Sequence, residues 1–175
     1  MSNCKTIGAP IVPIVGKFKD INIEIEESNE EVPYRELIMY LSIATHSDIT
    51  HAVNVLSQFN NCHNHERWHE AKRIFRYLQG ILNYGLIFKR YGKELVGYVD
   101  ADWGGDKIDR KSFTGLTFTL AGAAISWECS FRKQRTVALL SEAECMAITE
   151  ATKKAIHLIR FSRELSLKLR KKVTI

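Results

Sequence analysis

The hydrophobic period of this chain changes at Tyr84, and that change fixes the order in which its elements can occur. Before it, apolar residues recur at helical spacing. Leu37, Ile38, Tyr40, Leu41 and Ala44 keep an i, i+3, i+4 rhythm after Pro33. Ser47-Asp48 is the expected N-cap of a second helix carrying Ile49, Val53, Leu56 and Phe59. A third helix is predicted from about Asn64 to Gln79, with Gly80 as its C-cap. Its apolar face is Trp68, Ala71, Phe75 and Leu78. From Tyr84 the period is two. Gly85 to Lys89 and Glu94 to Val99 read as short strands. Phe113 to Ala121 alternates as a half-buried strand does, and Ala123 to Trp127 follows the turn at Gly122, so the pair predicts a hairpin. Thr136 to Leu139 is a further short strand or a lead-in. A helix is then predicted over Ser141 to Leu167, with Met146, Ile148, Ala151, Ala155, Leu158, Ile159 and Leu165 as apolar positions. Lys172-Val173-Thr174-Ile175 has the look of a strand's first residues.

Organisation follows from the same patterns. Residues 1–32 are expected to form a tail or linker. Pro10 and Pro13 interrupt an apolar stretch there, and the acidic run from Glu24 to Glu31 offers no packing face. Residues 33–83 form a small helical segment and 84–175 a domain of strands and helix. A length of 175 residues suits one domain with an appendage. The net charge of +5 leans basic, as for a nucleic-acid partner, but decides little alone. Cys4, Cys62, Cys129 and Cys145 are scattered, with no C-x-x-C pair. With no leader and no apolar run long enough for a membrane span, a soluble, intracellular protein with free thiols and no membrane partner is expected.

The chemistry-bearing words are acidic. Tyr98-Val99-Asp100-Ala101-Asp102-Trp103-Gly104-Gly105-Asp106 ends an apolar strand in carboxylates, and Ser141-Glu142-Ala143-Glu144 opens the long helix with more. Acidic oxygens on rigid elements gather around hard divalent cations. Each residue also has a plainer role. Asp100 can cap a turn, and Asp102 serves as a neighbouring turn residue. Ser141 to Glu144 spells a capping box, and Glu142 complements the positive end of the helix. Asp100 to Lys111 imitates an EF-hand loop but carries Lys111 where a bidentate glutamate is required.

At these words the second half resembles the ribonuclease H domain of copia-type retrotransposon Pol polyproteins. The matching stretches are Leu95 to Asp106, Asp109-Arg110-Lys111-Ser112-Phe113-Thr114-Gly115, Ile125-Ser126-Trp127, Lys133 to Leu139 and Glu142-Ala143-Glu144-Cys145-Met146-Ala147. The first half resembles the connection that follows reverse transcriptase in the same polyproteins, through Val32-Pro33-Tyr34-Arg35-Glu36-Leu37, Ala52-Val53-Asn54, Leu56-Ser57 and Ala71-Lys72-Arg73-Ile74 with Arg76 to Gly80. The resemblance implies an α/β fold, a ribonuclease H-like mixed sheet preceded by a helical connection. It implies hydrolysis of the RNA strand of RNA–DNA hybrids by a two-metal mechanism using Mg²⁺ or Mn²⁺. Asp100 and Glu144 would be catalytic and metal-binding, with Glu144 facing the ribose 2′-OH that distinguishes RNA from DNA. The family's later carboxylates lie beyond Val173-Thr174-Ile175, so a C-terminally truncated domain of weak or no activity is expected.

Other departures point the same way. The helix from Tyr34 to Thr45 is about three residues short. His46-Ser47 replaces Arg-Pro, Glu128 to Arg132 resembles an insertion, Leu140-Ser141 is one residue short before Glu142, and Cys145 replaces a tyrosine. These describe a degenerate copy. Lys72, Arg73 and Arg76 are candidate contacts to the nucleic-acid backbone, against the plainer reading of a solvated basic face. The partners implied are an RNA–DNA hybrid, the reverse transcriptase region of the same element, and a second copy joined through an exposed sheet edge. Two alternatives stand beside this. One is a hybrid-binding module without turnover. The other, more remote, is a zinc hydrolase, because His65-Glu66-Arg67-Trp68-His69 spells H-E-x-x-H with no clear third ligand.

Overall fold

The computed structural model describes residues 5–11, 34–58, 65–89, 94–102, 112–131, 140–167 and 173–175. Two compact units divide the chain, Met1–Tyr84 and Gly85–Ile175. No helix of the described residues is long and apolar enough to cross a membrane.

The first unit is helical. Helix α1 spans Tyr34–Ala44, α2 Thr50–Ser57 and α3 His65–Gly80, with a 3-10 turn at Ser47–Ile49 between the first two. Its core gathers Ile49, Ala52, Val53, Leu56, Ala71 and Ile74, all buried. The expected N-cap at Ser47-Asp48 is absent, because no side-chain bond caps either the 3-10 turn or α2. The carboxylate of Asp48 is used elsewhere, accepting a 2.6 Å hydrogen bond from the Tyr77 hydroxyl on α3. Thr50 stitches the turn instead, its hydroxyl donating to the carbonyls of Ser42 and His46. Gly80 is the last helical residue of α3 rather than a cap beyond it. Residues 5–11 depart from the expected loose tail. Ile11 packs on the core, and two arginines of α3 bond the backbone of this segment.

The second unit is a sheet covered by one helix. Strands β1 (Val96–Ala101), β2 (Phe113–Leu120) and β3 (Ala123–Phe131) are antiparallel neighbours in the order β1-β2-β3. β2 and β3 form the expected hairpin, with Ala121 (φ 57°) and Gly122 (φ 87°) in the left-handed region that a two-residue hairpin turn demands. The residues from Glu128 to Phe131, read from sequence as an insertion, extend β3. The predicted strand Gly85 to Lys89 does not form. Lys89 N–H bonds Ala121 O at 2.7 Å, and the exposed Leu86, Ile87 and Phe88 have no ladder partner among the described residues. Thr136 to Leu139 lies outside the described residues. The named strands are all antiparallel, whereas a mixed sheet was expected. The parallel component is a single bridge from Thr174 to Val96 on the free side of β1, where Gly97 N–H donates to Thr174 O at 2.8 Å.

Helix α4 (Leu140–Glu164) lies on the sheet through its smallest side chains. Ala143, Ala147, Ala151 and Ala155 recur at i, i+4 and are buried, as is Ser162. Ala151 and Ala155 meet Leu95, Leu116 and Phe118, with Leu158, Ile159 and Val173 around them. Of the apolar positions read from the sequence, Ala151, Ala155, Leu158 and Ile159 meet the core, whereas Met146, Ile148 and Leu165 are exposed. The alanine stripe lets the helix approach the sheet closely, and those larger residues project from its flanks. The helix ends in a Schellman motif. Leu167 N–H reaches Ser162 O and Ser166 N–H reaches Arg163 O, with Ser166 left-handed at φ 56°.

Candidate functional site

Strand β1 presents Asp100. Val96, Gly97, Tyr98, Val99 and Ala101 build the strand around it, and alternation divides their side chains between two faces. Val99 lies opposite Leu116 and Gly97 opposite Phe118, so this face meets α4 and the core. Asp100 is on the other face with the exposed Tyr98. Its cross-strand partner is Gly115, and Gly115 in turn faces Cys129 on β3. A Cβ on Gly115 would meet nothing within 4 Å, so the surface beside Asp100 is open. Asp102 lies just past the strand and is exposed; its backbone N–H donates to Phe113 O at 3.0 Å and extends the ladder by one bond.

Helix α4 presents Glu144. Because the helix begins at Leu140, Ser141 stands inside the first turn and cannot be the N-cap of a capping box. Glu142 is the acidic residue of that turn, and Glu144 follows in the second. The steps from Glu144 to Ala151, Ala155 and Ser162 are seven, four and seven residues, so all four share one stripe of the helix. The last three are buried, yet Glu144 is exposed. The sheet-facing stripe therefore ends in a carboxylate open to water. The later half of α4 covers the start of β1, since Ala151, Ala155, Leu158 and Ile159 cluster with Leu95. Glu144 stands about 10 Å back along the helix from Ala151 at the helical rise.

These two carboxylates are hard, water-accessible oxygen donors. They suit a cation such as Mg²⁺, which accepts one or two carboxylates and keeps several waters. Among the described residues no group of three or more His, Cys, Asp or Glu side chains gathers around one point, so a complete two-metal set is not assembled from them.

The basic residues belong to the first unit. Arg76 Nε donates to Lys5 O at 2.8 Å and Arg73 Nε to Ala9 O at 3.2 Å. Lys72 Nζ stands 5.0 Å from the centroid of the Trp68 ring. His69, of the H-E-x-x-H word, is exposed on α3; the side chains of His65 and Glu66 lie outside the described residues, as do Cys62 and His63. The sequence reading missed the use of Arg73 and Arg76 on residues 5–11. No local signal announces such a contact, because its partners are main-chain carbonyls some 64 and 71 positions away. It also passed over the Asp48–Tyr77 bond, for the same reason of sequence distance.

No family model matches the chain, and no solved structure does. Curated relatives do. Secreted RxLR effector protein 161 of Plasmopara viticola is 48% identical over 136 residues, covering 74% of this chain and 93% of that protein. The retrovirus-related Pol polyprotein from transposon TNT 1-94 of Nicotiana tabacum is 39% identical over 174 residues, 95% of this chain but 13% of the polyprotein. The corresponding polyprotein from transposon RE1 of Arabidopsis thaliana is 37% identical over 134 residues, 75% of this chain and 9% of its own length. The chain thus spans a small part of either polyprotein and nearly all of the effector. It is a retroelement-derived segment, and it belongs to the sequence family that joins this effector protein to the retrovirus-related Pol polyproteins of plant transposons.

Proposed function

We propose that this chain is a ribonuclease H-like module of copia-type Pol descent that acts on the RNA strand of RNA–DNA hybrids. One observation carries the reading. Asp100 stands near the end of β1, on the face away from α4, and Glu144 ends the sheet-facing stripe of α4; both are carboxylates on rigid elements of one unit, open to solvent. Asp100 and Glu144 are the residues that would hold Mg²⁺ or Mn²⁺, which would supply a Lewis acid for the scissile phosphate. Asp100 holds and orients the attacking water by accepting its hydrogen bond. Glu144 accepts a hydrogen bond from the ribose 2′-OH, which a DNA strand cannot donate. Lys72, Arg73 and Arg76 engage the phosphate backbone without reading bases. With Asp100 and Glu144 as its two candidate catalytic carboxylates, turnover by this chain alone is slow.

A labelled hybrid incubated with Mg²⁺ or Mn²⁺ tests the proposal. Slow cleavage of the RNA strand is expected, falling about a hundredfold or more in Asp100→Asn and in Glu144→Gln, the scale of a lost acid–base group. Cleavage indifferent to both substitutions would sink it. The effector relative favours a second reading, because its match extends over 93% of that protein, which is named for secretion and effector action rather than for an enzyme. On that reading the fold serves as a binding module. It predicts hybrid binding that weakens with salt and no cleavage with either metal.

A further inference from the structure

Residues 5–11 lie along α3 in the opposite direction to the helix. Lys5 O meets Arg76, Thr6 meets the position of Gly80, and Ala9 O meets Arg73 one turn earlier. Thr6 packs directly on Gly80, where a Cβ would stand in van der Waals contact with Thr6 Cβ at 3.4 Å. Ile11 anchors the far end on the core. The anchoring is uneven. Ile7, Pro10 and Ile11 are half-buried, whereas Lys5, Thr6, Gly8 and Ala9 are exposed.

The chemistry of the two bonds is also lopsided. Each guanidinium gives its Nε–H to a neutral carbonyl, and among the described residues no carboxylate meets either one. Two full positive charges, three residues apart on one helix flank, are therefore held by acceptors that do not neutralise them. A phosphate offers the same guanidiniums shorter, charge-assisted and bidentate bonds. Lys72 is adjacent in sequence, a half-buried third cation whose Nζ lies over the Trp68 ring.

We propose that residues 5–11 are a displaceable strap, occupying a polyphosphate-binding edge formed by Arg73 and Arg76 with Lys72, so that strap and nucleic-acid backbone exclude one another. The proposal rests on the backbone-binding role given above to these three residues, and adds its regulation. When backbone phosphate takes the guanidiniums, Lys5 to Ala9 lift away while Ile11 keeps the segment attached.

Backbone ¹⁵N relaxation on the full chain, with a metal-free RNA–DNA hybrid as probe, reads the strap directly. Saturating hybrid is expected to lower the order parameters of residues 5–9 and leave those of Ile49 to Leu56 unchanged. Gly80→Phe fills the seat of Thr6 at a position with ordinary helical backbone, so it should free the strap in the absence of hybrid. If the competent state is populated about a tenth of the time, hybrid binding to Gly80→Phe tightens roughly tenfold. Adding Arg73→Gln and Arg76→Gln should abolish that gain. Hybrid that binds while residues 5–9 stay ordered overturns the proposal and leaves the backbone-binding reading standing. So does a freed strap in Gly80→Phe with unchanged affinity. No binding by the wild-type chain or by Gly80→Phe rejects both together, and cleavage lost in Asp100→Asn reports on the active carboxylates independently of either.

Discussion

Asp100 is only as well placed as the strand beneath it, and Gly97 sets how closely that strand meets the core. Phe118 lies directly opposite and is fully buried, and a Cβ on Gly97 would stand 2.6 Å from its ring. Gly97→Ala must push the ring or the strand aside. It is expected to destabilise the second unit by about 1–3 kcal/mol, the range for overpacking a filled site, in urea unfolding. Gly115→Ala is the matched control, because open space receives its Cβ; it should stay within about 0.5 kcal/mol of the parent. In the first unit, Tyr77 carries the clearest titration signal. Its hydrogen bond to Asp48 and its partial burial push the phenol up to about 12 from the usual 10.0. The proton is held more tightly folded than unfolded. The stabilisation is thus complete below pH 10, where tyrosine keeps its proton in both states, and is lost as pH rises through about 12. Tyrosinate absorbance should show one late-titrating tyrosine that disappears in Tyr77→Phe, and that variant's stability should fall less steeply above pH 10. An early titration of all tyrosines together would contradict the bond.

Among the elements, α4 shows what local sequence can and cannot announce. Its extent was legible because apolar and small residues recur at helical spacing from Ser141 onward. Its buried face was legible in part: Ala151, Ala155, Leu158 and Ile159 meet the core, whereas Met146, Ile148 and Leu165 are exposed and the buried Ala143 and Ala147 were passed over. Close approach to a sheet selects the smallest side chains. The β2–β3 hairpin was legible from strict alternation around Gly122. Gly85 to Lys89 misled, because branched and aromatic composition records strand aptitude and not the presence of a neighbour to pair with. Asp100 and Glu144 were singled out by their words, whereas the alignment of Glu144 with Ala151, Ala155 and Ser162 needed the helix's position on the sheet. The Schellman motif carries its own prediction. Ser166 adopts a left-handed conformation that costs an L-residue roughly 1–2 kcal/mol, part of which glycine gives back through unfolded-chain entropy. Ser166→Gly should therefore raise stability by about 0.5–1 kcal/mol, seen as a higher melting temperature. An unchanged or lowered value would show that the serine side chain compensates.

For the molecule as a whole, an excess of five positive charges favours association with polyanions at low ionic strength. If Lys72, Arg73 and Arg76 each meet one phosphate, replacing any one should flatten the salt dependence of hybrid binding by about one unit of slope in a log–log plot. An unaltered slope would place the contacts elsewhere. β3 ends the sheet, and among the described residues no strand pairs its outer edge. We expect concentration-dependent self-association there, visible in sedimentation and reduced by Ile125→Lys, since a charge on an edge strand blocks further pairing. A monomer at every concentration would count against it. The bridge from Thr174 to Val96 has a different kind of consequence, one of timing. The strand that carries Asp100 gains its second neighbour from a residue 78 positions later, across β2, β3 and all of α4. Such a contact closes a long loop and cannot precede the elements within it. On a translating ribosome the hairpin can pair as it emerges, but β1 keeps one bare side until Thr174 has left the exit tunnel. The carboxylate-bearing strand is begun first and finished last.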